Sequence, residues 1–383
     1  MKPLLLRSSW LRLTRWEYWP PWLTYLPVVA YVATLAVKHR GATIFTAANP
    51  AILAGGFIGE SKIDILQGLS GSHSSVARSE FISRRLSVEA RIAAALTFLE
   101  REQLSLPIVL KPNEGQRGSG VVVARTRETL IGCLARSTVD TILQEYVPGL
   151  EFGVFYYRHP LERRGHILSI TEKQLPVVVG DGRRTLEHLI LDGERTRAMA
   201  RFHLERYGER LHEVPAQGER VPLGDCASHC RGATFLDGHA LLTSALVDAF
   251  DRIAHAYEGF YFGRFDVRVG SVDQLQEGRG FKIIELNGVT SEATHIYDPG
   301  VGVFEAYRAL FEQWRLAFAI GAENAARGAR VSSLRELLRL IAHYQKESRG
   351  HLLDANVTPR SSAPCESTAP GRGSSRPQAA SMA

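Results

Sequence analysis

The segment Gly263-Arg-Phe-Asp-Val-Arg-Val269 constrains this 383-residue chain more than any other. Its apolar and charged residues alternate strictly. An extended strand therefore turns Phe265, Val267 and Val269 to one face and Arg264, Asp266 and Arg268 to the other. A second run, Phe281-Lys-Ile-Ile-Glu-Leu-Asn287, follows after a short connection. Read with the same period, Ile284 and Leu286 share one face while Ile283, Glu285 and Asn287 share the other. Antiparallel pairing then brings Asp266 beside Glu285 and Asn287. Two carboxylates and an amide oxygen on an otherwise apolar sheet are unstable unless a cation joins them. Oxygen-only ligands select Mg2+ or Mn2+, and Mg2+ takes few protein ligands together with phosphate oxygens. The competing reading is an exposed hairpin with solvated charges.

Two upstream segments favour the metal. Pro107 to Lys111 reads as a short apolar strand, followed by Pro112-Asn-Glu-Gly-Gln-Arg-Gly-Ser-Gly120 and a further strand, Val121 to Ala124. Strand, glycine-rich loop and strand make a hairpin, not the strand–loop–helix of a Walker or dinucleotide site. Gly115, Gly118 and Gly120 let backbone N–H groups approach an anion, and Lys111 supplies a point charge at the strand end. In Gln144-Glu-Tyr-Val-Pro-Gly-Leu-Glu151, Pro148-Gly149 interrupts a strand edge. The interruption leaves backbone groups of Glu145 and Val147 free to read a base edge, with Glu151 able to accept from ribose hydroxyls. Taken alone, that segment is a turn with an exposed glutamate.

In this order and spacing the three pieces resemble the ATP-grasp superfamily over about residues 60 to 320, and most nearly D-alanine–D-alanine ligases and related carboxylate–amine ligases. The Arg-x-Asp and Glu-x-Asn pair is the most specific part. The resemblance implies an α+β fold in which two subdomains with antiparallel sheets clasp ATP. It implies that Lys111 grips the phosphates, with Lys62 as a first phosphate lysine. Asn113 to Gly120, including Gly115, Gln116, Arg117, Gly118 and Gly120, becomes a flap over them. It assigns Gln144, Glu145 and Val147 to adenine, Glu151 to ribose and Lys173 to the nucleotide side. Asp266, Glu285 and Asn287 become the magnesium ligands, and Arg264 stabilises the transferring group. The implied chemistry is activation of a carboxylate as an acyl phosphate, then capture by an amine. A phosphotransferase and a non-catalytic ATP-binding module at a membrane are the alternatives.

Departures from that family are plain. Only about sixty residues precede Lys62, where the family has a substantial substrate-binding domain, and the segment after Asn287 also differs. Ser291, Thr294 and His295 are candidates there for holding a carboxylate or amine. No nucleophile is needed, and Ser72-His73-Ser74 reads as a polar loop. Cys226, His229 and Cys230 offer only three ligands on one turn, too few for a closed zinc site. Arg231 is a further phosphate or substrate candidate.

Composition bounds the rest. A chain with 45% hydrophobic and 22% charged residues is globular. The net charge of +6 is scattered in short clusters such as Arg84-Arg85 and Arg183-Arg184, which argues against nucleic acid and for small anionic partners. Four cysteines make no disulfide framework, so a reducing compartment is expected. The expected location is the cytoplasm or the inner face of its membrane. Tyr18 to Val37 is an uncharged run long enough to span a bilayer, with Trp16, Trp19 and Trp22 at its start and three prolines inside it. Basic residues on both sides oppose a span, and residues 16–37 are left open as a membrane-associated or re-entrant segment, a true span, or a buried element. The expected organisation is this N-terminal segment over residues 1–60, a subdomain with the flap over 61–143, a subdomain with the metal site over 144–345, and a disordered tail over 354–383. Oligomeric state is left open.

Overall fold

The computed structural model describes residues 15–69, 74–115, 119–224 and 232–354, with side chains through residue 346. Helix α1 (Pro21–Lys38) opens the chain after a 3-10 turn at Trp16–Tyr18, and two more such turns lead to α2 (Lys62–Gly68). The first sheet follows. Strands β1 (Ser79–Ile82), β2 (Ile108–Pro112), β3 (Val122–Ala124) and β4 (Thr141–Glu145) lie in the order β1-β4-β2-β3, every neighbour antiparallel. Helices α3 (Val88–Arg101) and α4 (Arg127–Arg136) start at Ser87 and Thr126, whose side chains accept from Ala90 N–H and Thr129 N–H. Such caps satisfy donors that the first helical turn leaves open. Phe98, Leu130 and Leu134 pack with Ile108, Leu110 and Leu143 into one core. Alternation along β2 therefore turns Lys111 away from that core.

Tyr146 to Gly149 carries the chain to the second sheet. It comprises β5 (Leu150–Tyr157), β6 (His166–Gln174), β9 (Thr234–Asp237), β10 (Phe262–Val269) and β11 (Phe281–Asn287), ordered β11-β10-β5-β6-β9 and wholly antiparallel. Between β6 and β9 the chain makes an excursion of β7 (Val177–Val179) paired with β8 (Arg220–Pro222), and of α5 (Leu186–Asp192), α6 (Glu194–Ala198) and α7 (Ala200–Tyr207). Val178, Leu189, Ile190 and Leu223 form its own small core. Helices α6 and α7 meet at Met199, whose φ of −107° and ψ of 21° leave the helical basin.

One face of the second sheet is apolar. Phe152, Val154 and Tyr156 of β5 and Phe265, Val267 and Val269 of β10 pack under Phe250 and Ile253 of α8 (Ser244–Ala256). Burying each such side chain is worth about 1.5–3 kcal/mol. The β10 alternation holds throughout, but β11 departs from it. Asp266 pairs with Glu285 while the next residue, Val267, pairs with Ile283. Ile284 is thus an extra residue in a β-bulge. The bulge returns Ile283 to the core with Leu286, correcting the expectation that Ile283 shares a face with Glu285. Glu285 and Asn287 stay opposite the core. Helix α9 (Val272–Gln276) sits in the β10–β11 connection.

The other side of the molecule is closed by α10 (Val303–Ala326), with α11 (Leu334–Asp354) beyond it. Leu35 and Phe45 meet Leu316, Phe318 and Leu337 in one cluster, and Val28 meets Ala306 and Leu310 in another. Asn49 fixes the turn after α1. Its Nδ2 donates to Gly55 O and Phe262 O, and its Oδ1 accepts from Tyr261 and Phe262 N–H. Residues 18–37 thus contain a helix with Pro27 inside it and one flank docked on α10. The tail expected over 354–383 lies outside the described residues beyond Asp354, as do Ser72, His73, Cys226, His229, Cys230 and Arg231.

Candidate active site

The two sheets meet where β2 approaches the bulge of β11. Lys111 Nζ donates to Ile284 O at 2.9 Å and to Gln144 Oε1 at 3.0 Å. Gln144 Nε2 in turn donates to the same Ile284 O and to Ser79 Oγ, both at 3.1 Å. The bulge therefore does more than correct a register, because it exposes the carbonyl on which two side chains of the first sheet converge. Lys62, on the first turn of α2, donates to Gly115 O and lies 3.5 Å from Glu285 Oε1. It joins the glycine-rich loop to the second sheet. Asn113 Oδ1 holds this helix start by accepting from Ile63 N–H at 3.0 Å.

On the polar face of the second sheet, Asp266 is the hub. Arg264 Nε reaches Asp266 Oδ1 at 2.7 Å and its Nη2 reaches Oδ2 at 3.1 Å. Lys173 Nζ is 2.9 Å from Oδ1. Asn287 Nδ2 donates to Oδ2 at 3.4 Å. Burial alone would raise the Asp266 carboxyl, but the Arg264 guanidinium and Lys173 ammonium outweigh it and hold the group below the usual carboxylate range. The cation expected beside these carboxylates is provided at Asp266 by side chains. The chain supplies two cations of its own, from β10 and β6. Further along, Glu151 Oε2 accepts from Arg268 Nε and Nη2 at 3.2 and 3.0 Å, and its Oε1 lies 3.4 Å from Lys173.

Gly153 makes this clustering possible. It sits on β5 opposite Asp266, and a Cβ there would come within 3.0 Å of Arg264 Cδ and 3.4 Å of both Asp266 Oδ1 and Lys173 Cε. A glycine inside an apolar strand was the signal, and the sequence reading passed over it. Two acidic residues were missed as well. The Glu60 carboxyl is pushed up by burial, and its Oε2 has no hydrogen-bond partner among the described residues. Glu292 is pushed up to about 7 by burial. It accepts from Tyr25 OH and, at 3.0 Å, from Tyr297 OH, while its carbonyl takes Arg264 Nη1 at 2.8 Å.

Other expected residues lie where their assigned tasks are obstructed. Glu145 N–H is not free but donates to Arg78 O at 2.8 Å, and its carboxylate is bound by Arg78. Val147 O accepts from Arg268 Nη1 at 3.2 Å. The Gln144 amide turns inward to Lys111. Ser291 Oγ donates to Gly288 O, and Thr294 Oγ1 bonds Thr171 Oγ1 at 3.2 Å, both buried. His295 Nδ1 is buried with no partner among the described residues. Gly115 and Gly120 belong to the loop, while Gln116, Arg117 and Gly118 lie outside the described residues. Gly120, at φ +71°, folds back on Pro112 so closely that a Cβ would meet Pro112 Cγ at 2.7 Å.

A cavity of about 880 Å3 adjoins the cluster. Tyr146, Glu151, Lys173 and Arg268 line one wall, and Arg184 and Arg195 of the excursion line another. Among the described residues no group of three His, Cys, Asp or Glu side chains forms a metal nest. Asp266, Glu285 and Asn287 lie on paired strands, Asp266 opposite Glu285, with the Asn287 amide beside Asp266. Two carboxylates and an amide oxygen suit a hard divalent cation that draws its remaining ligands from phosphate and water.

No family profile and no curated protein matches the sequence. Solved structures do. A bifunctional glutathione synthetase from Pasteurella multocida matches at 17% identity and TM-score 0.36, over 66% of this chain and 36% of that one. A D-alanine–D-alanine ligase from Bacillus anthracis matches at 14% identity and TM-score 0.39, over 70% and 68%. The ATP-grasp ligase PsnB, complexed with a minimal precursor, matches at 13% identity and TM-score 0.34, over 66% and 60%. The chain spans only about a third of the synthetase's length. With every TM-score below 0.5, the functional assignment rests on this chain's own side chains.

Proposed function

We propose that the protein is an ATP- and Mg2+-dependent ligase that activates a carboxylate and joins it to an amine. The observation that carries the reading is the run of Lys62, Lys111, Lys173, Arg264 and Arg268 among the carboxylates of Glu151, Asp266 and Glu285 where the two sheets meet. Five cations among three carboxylates favour a polyanion, and Lys62 also holds the Gly115 carbonyl at the start of the glycine-rich loop. In the reaction a carboxylate oxygen attacks the γ-phosphorus of ATP as the bond to the β–γ bridging oxygen breaks, leaving ADP and an acyl phosphate. The amine then attacks the acyl carbon, phosphate departs, and the amine proton is lost.

Each residue's share is electrostatic. Lys111 and Lys62 bind the phosphates from the first-sheet side, and Lys173 and Arg264 neutralise charge that grows on the transferring oxygens. Asp266, Glu285 and Asn287 would hold Mg2+, which supplies further neutralisation of the phosphates. Glu151 faces the cavity and is the ribose acceptor. Ligand entry exchanges internal ion pairs for pairs with phosphate, so the charges are already desolvated when substrate arrives.

ADP release measured across mixtures of small carboxylates and amines tests the reading, with Asp266→Asn as control. The expected result is ADP formation that needs both substrates and Mg2+ and is lost in the variant. ADP formation with no amine requirement and a phosphorylated product would assign a phosphotransferase instead. Equal rates in both proteins would end the catalytic reading.

A further inference from the structure

The N-terminal helix presents a surface that the rest of the chain leaves uncovered. Thr24, Val28 and Leu35 of α1 are buried, the last two against α10 and its neighbours. On the other side Trp22, Leu26, Val29 and Val37 are 72, 60, 62 and 80% exposed, with Ala33 exposed between the last two. Their spacing of four, three, four and four residues draws one continuous stripe along a helix about 27 Å long. Phe304, 83% exposed, stands across a groove from Tyr31 at the same α1–α10 seam. Isolated exposed apolar residues need no explanation, but a continuous stripe marks an interaction surface.

Charge decides which partner fits. Residues 1–59 hold six basic residues, Lys2, Arg7, Arg12, Arg15, Lys38 and Arg40, against the single acidic residue Glu17, so they carry five of the six net positive charges of the whole protein. Glu17 is itself bound to Arg195 at 3.0 Å and nearly buried. Lys38 and Arg40 lie at the C-terminal end of the stripe and have no acidic partner among the described residues. A second copy meeting this face through its own residues 1–59 would bring the same excess of five positive charges. Anionic lipid headgroups supply the missing charge, and their acyl boundary takes Trp22, Leu26 and Val29.

We propose that α1 lies flat in the surface of an anionic bilayer, its buried flank still seated on α10, so that the protein is peripheral to the membrane and does not span it. A helix with one flank packed on the protein cannot be surrounded by lipid, so the docked Val28 and Leu35 separate this mode from a span. The proposal stands or falls independently of the ligase reading.

Flotation of the full chain with vesicles tests it. Binding to vesicles containing phosphatidylglycerol is expected to exceed binding to phosphatidylcholine alone by at least tenfold and to weaken in high salt. Leu26→Asp with Val29→Asp is expected to lower it at least tenfold. Lys38→Glu with Arg40→Glu is expected to lower it about fivefold per cation removed. All four positions are exposed and outside the nucleotide cluster, so an unchanged circular dichroism spectrum and melting temperature should accompany the loss. Absent binding, equal binding to both vesicle types, or a concentration-dependent dimer abolished by the same substitutions would overturn the proposal.

Discussion

Lys173 Nζ lies 2.9 Å from Asp266 Oδ1, although their strands, β6 and β10, are separated by β5. The ion pair crosses that intervening strand at Gly153, where a side chain would crowd both partners.

Gly153→Val should break this crossing. The added atoms must displace Arg264 or Lys173 from Asp266, which costs about 1–3 kcal/mol by the measure of overpacked cores. A lower urea midpoint with unchanged far-ultraviolet circular dichroism is expected, together with loss of ATP-dependent turnover. Gly153→Ala, with less to insert, should fall between the two proteins.

Asp266→Asn should destabilise the fold as well as abolish turnover. Removing one partner of a buried ion pair leaves uncompensated charge and costs about 3–5 kcal/mol. The pH dependence follows from the sign of the shift. The folded Asp266 carboxyl is depressed, so its stabilisation is present above the unfolded value of about 3.9 and is lost as pH falls further, toward the folded value. Denaturation curves of the two proteins should therefore converge in acid. Parallel curves from pH 7 down to pH 2 would refute the ion-pair assignment.

Glu292 predicts the opposite slope. Its pKa is raised from about 4.5 to about 7, so between those values the folded state holds a proton that the unfolded chain has released. Stability from this group is complete below about pH 4.5 and is lost as pH climbs through about 7, by roughly 3 kcal/mol. Glu292→Gln should flatten that limb. Because the Glu292 carbonyl accepts from Arg264 Nη1, a profile with neutral-pH loss of both stability and turnover in the wild type alone is expected.

Chelation of divalent ions should abolish turnover, with Mg2+ or Mn2+ restoring it. Glu285→Gln should raise the Mg2+ concentration needed for half-maximal rate by at least tenfold while leaving the melting temperature within a few degrees, since Glu285 is less buried than Asp266 and its ion pair with Lys62 is a loose one at 3.5 Å. An unchanged Mg2+ requirement would remove Glu285 from the metal set.

Much of this site was legible in one dimension because its cause is local. Strict alternation in Gly263 to Val269 places Arg264, Asp266 and Arg268 on one face of any strand that the segment can form. The glycine-rich loop beside Lys111 was readable for the same reason. What tertiary structure decided was every relation set by a neighbour distant in sequence. The bulge at Ile284 depends on how β11 pairs with β10, and it alone turned Ile283 inward and offered a carbonyl to Lys111. Arg78, absent from any pattern, takes the Glu145 groups expected to face a base, because β1 pairs with β4. The neutralisation of Asp266 required a lysine from two strands away. Composition marked residues 18–37 as apolar, but only α10 determined which side of that helix is covered, since burial belongs to a pair of surfaces and no single segment carries it.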